Sequence, residues 1–537
     1  MPELPDAPFS WFDPLLTDEA WPHLALILRV FLLLGFGFLL IRFSWRLRAE
    51  RQTALPGAWP RVMTGFLLLF LVAIAWRQAH WQLFGRRNEN FVAFMQRYDR
   101  REFNPAHRVR PGRILDRKGR ILVVSGMTER GVQRVYRYGP VFSHALGYNH
   151  PVYGLTGLEA AARSVLLGGG LRSREDLIAM GAELMDRERH AEGPSLTTTL
   201  DVDLQVSAYE LLEGRRGAVV VLDIRNGDVL AMVSRPEFDP NRLHPRLFAG
   251  QVPDAPLLNR ALSGRYPPGS VYKVLIAATA LQDGFSGTLD TPPDGFTTSP
   301  ANPRIRDHQY YTAEREGRVW RGHGQLGLGE ALAKSSNVFF AQLGVRSDWD
   351  AHVRTADAAG LLQPIALWER PEATLAVQPA RLPQLSNQAP YGIAQYSIGQ
   401  GDLLVSPMHM AMVAAAVARG GQSVYPRLDP KMPLRTGGWI CSAENAETLK
   451  WMMFRVVREG TGRGIDLAEI PVAGKTGTAQ TGAGRESHSW FMGFAPVSEP
   501  RWAFAVLVEQ GGYGSQTALP IARDLLREGV REGWLKP

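Results

Sequence analysis

Hydrophobic and polar positions change rhythm several times along this chain. Near its start, 24–41 is apolar except for Arg29, and 62–76 carries no charged residue. Each run is somewhat short of the roughly 20 residues that cross a bilayer as a helix, with Arg29, Arg61 and Arg77 placed to snorkel. Both are expected to span a membrane, which makes residues 1–84 a membrane anchor. The intervening loop holds Arg42, Arg46, Arg48, Arg51 and Arg61 against one acid, Glu50, and reads as cytoplasmic. The two spans then form a hairpin whose ends both lie outside. The alternative, one true span beside an interfacial or buried helix, also delivers the rest of the chain to the outside.

Beyond the anchor the periods shorten. Residues 110–122 read as strand, turn, strand, with a Lys-Gly turn before Ile-Leu-Val-Val. The glycines at 147, 154 and 157 precede an Ala- and Leu-rich helix, and the charged stretch 171–192 suggests an exposed helix or linker ending at Gly193 and Pro194. A second domain is expected from residue 201. It opens with a helix through Leu212, continues into a valine-rich strand over 217–224, turns at Arg225-Asn226-Gly227 and returns as a strand over 228–234. Helical character follows Ser270, while 284–325 is rich in Gly, Pro, Thr and Arg and is expected to be a long loop or lid. Helices are also expected over 327–343, with a break at 334–337, and over 408–418 and 446–457. Strands are expected over 472–481, 489–495 and 502–509, with a last helix over 518–527. Strands at both ends with helices between them predict an α/β fold: an antiparallel sheet flanked by helices.

Composition changes the picture in three ways. With 45% hydrophobic and 21% charged residues among 537, the chain is a folded protein of two or three domains. One cysteine, Cys441, excludes an intrachain disulfide framework and any multi-cysteine metal site. Between Arg77 and Arg130 there are 13 basic and five acidic side chains, an excess suited to anionic headgroups of membrane lipid or to an acidic partner. Nucleic acid is a poor partner, because no module of interleaved aromatic and basic residues accompanies the charge.

Candidate chemistry begins at Arg265 to Lys273. Two prolines and Gly269 force an irregular approach to a helix, so Ser270 is expected in its first turn, where unpaired N–H groups favour developing negative charge. Lys273 is one helical turn on, a neighbour on the same face. A serine becomes nucleophilic when a base takes its proton, and a buried lysine can be that base. Only seven of the 60 basic residues are lysine, and arginine effectively cannot deprotonate, so a lysine here stands out. Taken singly, this pair is as easily an exposed serine and a solvated lysine. Two further patterns change that. Ser335-Ser336-Asn337 puts a hydroxyl and an amide into a helix break, and Lys475-Thr476-Gly477-Thr478 puts a cation, hydroxyls and a glycine on a strand. Their order and spacing match the Ser-x-x-Lys, Ser-x-Asn and Lys-Thr-Gly set of penicillin-recognising serine acyltransferases.

On these residues, over most of 108–537, the chain resembles the class B penicillin-binding proteins, membrane-anchored peptidoglycan transpeptidases. Arg110 to Leu122 is similar to the family's Arg-Gly-x-Ile-x-Asp-Arg-Asn-Gly signature, with Pro111 before the glycine and Lys118 in place of Asn. Gly154 to Glu159 is similar to its Gly-x-x-Gly-Leu-Glu, and Ser397 to Gly401 and Trp490 to Gly493 match its transpeptidase domain. The resemblance implies a β-rich pedestal over 85–200, a transpeptidase domain of β-lactamase-like fold over 201–537, and a place on the extracytoplasmic side of a bacterial inner membrane. It implies Ser270 as nucleophile, Lys273 as base, and Ser335 and Asn337 as catalytic partners. Lys475, Thr476, Gly477 and Thr478 become the substrate-binding strand. The implied partners are peptidoglycan stem peptides, β-lactams, membrane lipid and a membrane glycosyltransferase of the SEDS family, with no metal or organic cofactor. A second span and a short pedestal depart from the family pattern. Rival readings are a D,D-carboxypeptidase or β-lactamase, which send water to the acyl-enzyme, and a membrane β-lactam sensor or scaffold activating a glycan polymerase. The class A β-lactamase loop Glu-x-x-Leu-Asn has its nearest counterpart at Glu372 to Ala376, which lacks the Asn.

Overall fold

A computed structural model describes residues 65–67, 69–76, 109–128, 131–167, 191–249, 252–370, 373–465, 467, 469–482 and 485–536. The chain divides into two compact units, residues 1–100 and 101–537. In the first, 65–67 and 69–76 are helical and leave Leu67, Leu69, Phe70, Val72 and Trp76 exposed. No helix among the described residues is long and apolar enough to cross a membrane. The expected span 24–41, the loop after it, part of the span 62–76 and the charged stretch up to residue 190 lie outside the described residues.

The second unit begins with a four-stranded sheet. Its strands are β1 (Ile114–Leu115), β2 (Ile121–Thr128), β3 (Gly131–Tyr136) and β4 (Leu196–Thr197), in the order β3-β2-β1-β4, with β4 parallel to β1. The expected turn is there: Gly119 has φ +82°, and the Asp116 carboxylate accepts the N–H groups of Lys118 and Arg120 at 2.9 and 2.8 Å. The Gly-x-x-Gly-Leu-Glu segment ends on a buried ion pair, Glu159 with Arg134 at 2.8 Å.

A five-stranded antiparallel sheet forms the larger core. It comprises β5 (Gly217–Asp223), β6 (Val229–Arg235), β7 (Ala473–Ala479), β8 (His488–Ala495) and β9 (Trp502–Val508), in the order β6-β5-β9-β8-β7. Between Arg235, where the second of these strands ends, and Ala473, where the third begins, most of the regular structure is helical, which is the α/β arrangement expected. The helices that bear on the site are α1 (Val202–Leu211), α2 (Lys273–Gln282), α3 (Leu328–Lys334), α4 (Asn337–Arg346), α5 (Pro407–Ala418), α6 (Ala443–Arg458) and α7 (Ala518–Arg531). Alternation along β5 sorts the two faces: Val219 and Val221 pack with Leu204 of α1 and Leu525 of α7, whereas Val220 and Leu222 pack with the α5 side. With both faces covered, the inner strands β5 and β9 read as near-continuous apolar runs, whereas the edge strand β7 carries Lys475, Thr476 and Thr478. Helix α5 is buried all round, and its N-terminus is closed by a capping box between Ser406 and His409. Losing one of its buried methionines to alanine is expected to cost about 2–5 kcal/mol.

Two expectations need correction. Residues 284–325 are not one irregular lid: Thr288–Thr291 pairs antiparallel with Gly324–Gly327, and His308–Arg315 is a helix. The pairing partners sit at opposite ends of this stretch, so a local reading of polar composition could not see them. Ser270 also lies outside α2, in a one-turn 3-10 helix, Gly269–Tyr272, because the Lys273 N–H bonds back to the Ser270 carbonyl.

Candidate active site

The serine turn is pinned by its backbone on both sides. Gly269, at φ +56°, donates its N–H to the Gly399 carbonyl at 2.9 Å. A Cβ on Gly399 would lie 2.0 Å from the Gly269 carbonyl oxygen, so the glycine within 397–401 is what allows the two backbones to meet. From the other side, the Trp490 indole donates to the Pro267 carbonyl at 3.1 Å, and a hydrogen bond between the Tyr272 and Tyr396 hydroxyls closes the turn underneath. A Cβ on Gly477 would meet Val271 and the Pro268 carbonyl at 2.9 and 3.0 Å, so β7 lies directly against the turn.

Lys273 opens α2 and is fully buried. Its Nζ donates to the Ser335 carbonyl and to Asn337 Oδ1, both at 2.7 Å, and stands 5.6 Å from the centre of the Phe340 ring. Burial pushes the amine down to about 7, and the charge of Asp307 opposes that fall. Among the described residues no hydrogen bond joins the Ser270 hydroxyl to Lys273; the two are linked by helical adjacency alone.

Ser335 and Asn337 flank the break between α3 and α4. Ser335 sits in the left-handed region, φ 58° and ψ 38°, so the chain reverses and the Asn337 side chain meets Lys273. Ser336 caps α4 by accepting the Phe339 N–H at 3.1 Å. The break is held by Asp307, a buried carboxylate that accepts the N–H groups of Asn337 and Val338 at 2.5 and 3.1 Å and the Ser336 hydroxyl at 3.0 Å. Placing a carboxylate at the start of α4 also suits the helix dipole.

On β7, Lys475 is fully buried, donating to Ser335 Oγ at 2.8 Å and to the Thr476 carbonyl at 3.0 Å. Burial, and secondarily the charge of Lys273, press its amine well below the ordinary lysine range. The Thr476 hydroxyl pairs with that of Thr461 at 2.7 Å, and Thr478 Oγ1 accepts the Gly514 N–H at 3.3 Å. All eight residues singled out from the sequence therefore come together where the serine turn, the α3–α4 break and β7 meet. Asp307 and Thr461 support this site and carry no local signal of their own, whereas Gly399, which also supports it, lies in the family-like segment 397–401. In sequence Asp307 is one acid in a polar stretch, and only the fold brings it to the break.

The sequence profile described as the penicillin binding protein transpeptidase domain matches residues 217–527. The chain belongs to the class B penicillin-binding proteins. Among relatives in that family, the peptidoglycan D,D-transpeptidase PbpA of Mycolicibacterium smegmatis is 32% identical over 457 residues, 77% of this chain and 88% of the relative. The peptidoglycan D,D-transpeptidase MrdA of Acinetobacter baumannii is 29% identical over 73% of this chain and 65% of the relative. The penicillin-binding protein A structure from M. tuberculosis, solved as a ceftriaxone acyl-enzyme complex, superposes with a TM-score of 0.69 at 27% identity, over 79% of this chain and 99% of that one. As for the β-lactamase-like loop, Glu372 lies outside the described residues, and 373–376 fall on the strand Ala373–Val377, which pairs with Ile365–Arg370.

Proposed function

We propose that this penicillin-binding protein is a peptidoglycan D,D-transpeptidase working through a serine acyl-enzyme, and so a target of β-lactams. The observation that carries the reading is Lys273: a buried amine brought to about 7, with no carboxylate partner among the described residues, one turn from a serine. At neutral pH a large fraction is unprotonated and able to take the Ser270 proton. Ser270 Oγ then attacks the penultimate D-Ala carbonyl of a donor stem peptide. The Oγ–carbon bond forms, the carbon–nitrogen bond breaks, and the departing D-Ala amine receives a proton relayed through Ser335. Asn337 orients Lys273 and the substrate amide. The N–H groups of Ser270 and Thr478 hold the oxyanion, an effect typically worth about 2.7–4 kcal/mol per donor. Lys475, with Thr476 and Thr478, receives the terminal carboxylate, which also gives that buried amine a counter-charge. An amine of a neighbouring strand then takes the acyl group, reforming an amide and freeing Ser270.

Residues 85–200 are read as the pedestal and 201–537 as the transpeptidase domain. The apolar, exposed helical segment within 65–76 supports a membrane anchor, with the catalytic site on the extracytoplasmic side and a glycosyltransferase of the SEDS family as partner. Fluorescent penicillin is expected to label the protein at Ser270 and to lose that label in Ser270→Ala; label appearing at another serine of that variant would overturn the assignment. Lipid-linked substrate supplied with a candidate glycosyltransferase separates the rivals: cross-linked dimers support transpeptidation, and trimmed peptides alone support a carboxypeptidase.

A further inference from the structure

Beside the serine turn lies a second pocket of about 590 Å³, lined among others by Arg265, Pro267, Gln400, Gln480, Thr481 and Arg485. It adjoins the active site on each side: Pro267 is three residues before Ser270, Gln400 follows Gly399, and Gln480 and Thr481 continue the chain of β7. Its charges are unequal. The one acid in the lining, Glu509, is already neutralised, accepting from Arg260 Nε and the Tyr266 hydroxyl, both at 2.7 Å. Arg216 is occupied by Asp254 and by Gln510 at 2.6 Å. Arg265 and Arg485 make no ion pair with any described residue. Two such guanidinium groups thus line a pocket that has no spare negative charge, and this favours an anion; guanidinium is matched to carboxylate by its planar fork of donors.

The direction of the substrate selects which anion. On the reading above, the leaving residue's carboxylate sits at Lys475 and the scissile carbonyl at Thr478. The acyl portion of the donor must therefore leave the oxyanion site away from Lys475, toward Gln480 and Thr481. Thr481 is three residues past Thr478, at most about 11 Å of chain. An extended donor covers that span with its next two or three residues.

We propose that this pocket is a specificity subsite for a carboxylate carried by the donor strand on the acyl side of the scissile bond, with Arg265 and Arg485 as its recognising groups. The inference rests on the transpeptidase reading and adds a preference to it. Full-length protein in detergent is given two synthetic donors that end in D-Ala-D-Ala and differ only two residues upstream of the scissile bond, one with a free carboxylate and one with a carboxamide. The readout is the ratio of their kcat/KM values, in which any general loss of activity cancels. We expect the wild type to favour the carboxylate by roughly tenfold, the value of about one charge-assisted hydrogen bond. The ratio should fall below about twofold in Arg265→Gln and in Arg485→Gln, and Arg265→Lys should keep most of it. A wild-type ratio near one, or full preference retained in both glutamine variants, overturns the subsite. Wild-type protein that takes no penicillin at Ser270 overturns the enzyme reading, and the subsite falls with it.

Discussion

Two clusters of charge in this molecule treat lysine in opposite ways. At the junction of the small sheet with α1, Lys118 reaches Asp201 and Asp203 at 3.0 and 3.1 Å, and Arg120 reaches Asp116 at 2.8 Å and Asp203 at 2.6 Å. In the active site, Lys273 and Lys475 are buried with no carboxylate of a described residue in ion-pair range. Partial burial works against the charge on Lys118, but its hydrogen bonds to Asp201 and Asp203 outweigh it and raise the amine above its ordinary value. In the active site burial is not answered by a paired carboxylate, and Lys273 falls to about 7. The difference teaches that a lysine's proton affinity is set by whether desolvation is answered by a carboxylate, and that withholding the answer makes a base.

The comparison is broken most severely by removing the amine itself. Lys273→Met keeps the apolar volume beside Phe340 but leaves Ser270 with no base. Stopped-flow acylation by penicillin is expected to slow by about 10²–10⁴-fold, the range for general-base catalysis. An unchanged rate would mean that another group takes the proton. At the junction the corresponding keystone is Asp116, fully buried and accepting from Lys118 N, Arg120 N and Arg120 Nε. Asp116→Ala strands those donors and is expected to cost about 2–4 kcal/mol in urea unfolding, by the measure of lost buried charged hydrogen bonds. Penicillin acylation per folded molecule should hold.

How much of this was legible in the sequence follows from range. Ser270, Lys273, Ser335, Asn337 and Lys475 to Thr478 could be singled out because three short local patterns, each ambiguous alone, occur in one order and reinforce one another. The inner strands β5 and β9 were readable locally, since a doubly buried strand writes itself as an apolar run, whereas β7 was readable through its Lys-Thr-Gly pattern. Asp307 was not readable: its meaning comes from α4, which starts only at Asn337 and brings free N–H groups to it. The hairpin Thr288–Thr291 with Gly324–Gly327 was lost likewise, because its register is set by partners across a gap of polar chain. That Ser270 precedes α2 instead of opening it reflects one backbone hydrogen bond, finer than propensity can resolve.

Changing pH sharpens the contrast without altering any atom. Because Lys273 loses its proton near 7 in the folded protein, acylation should fall roughly tenfold for each unit below 7 and level off above it. Stability carries the same signature. The folded amine at about 7 lies below the unfolded value of 10.5, so between these limits the unfolded chain binds more protons, and the Lys273 contribution to stability rises with pH. Lys118 has the reverse sign: its raised value gives stability that is complete below 10.5 and lost as pH climbs through the folded value. Lys273→Met should remove the first slope and keep the second. A pH–rate profile flat from 5 to 8 would contradict the assignment of Lys273 as base.

The smallest effect expected is at Lys118, and it tests the other half of the contrast. Its side chain is 44% exposed, so water competes for both carboxylates and the ion pairs are screened. Lys118→Met is therefore expected to change unfolding free energy by only about 0–1 kcal/mol, less in high salt, despite its two close carboxylate contacts. Arg120 keeps its own hold on Asp116 and Asp203, so the junction does not lose its only cation. A loss of about 3–5 kcal/mol, insensitive to salt, is what breaking a buried pair costs, and it would show that Lys118 acts as a buried group does. The raised amine at the junction and the lowered one in the active site would then differ in partner alone, and exposure would drop out of the explanation.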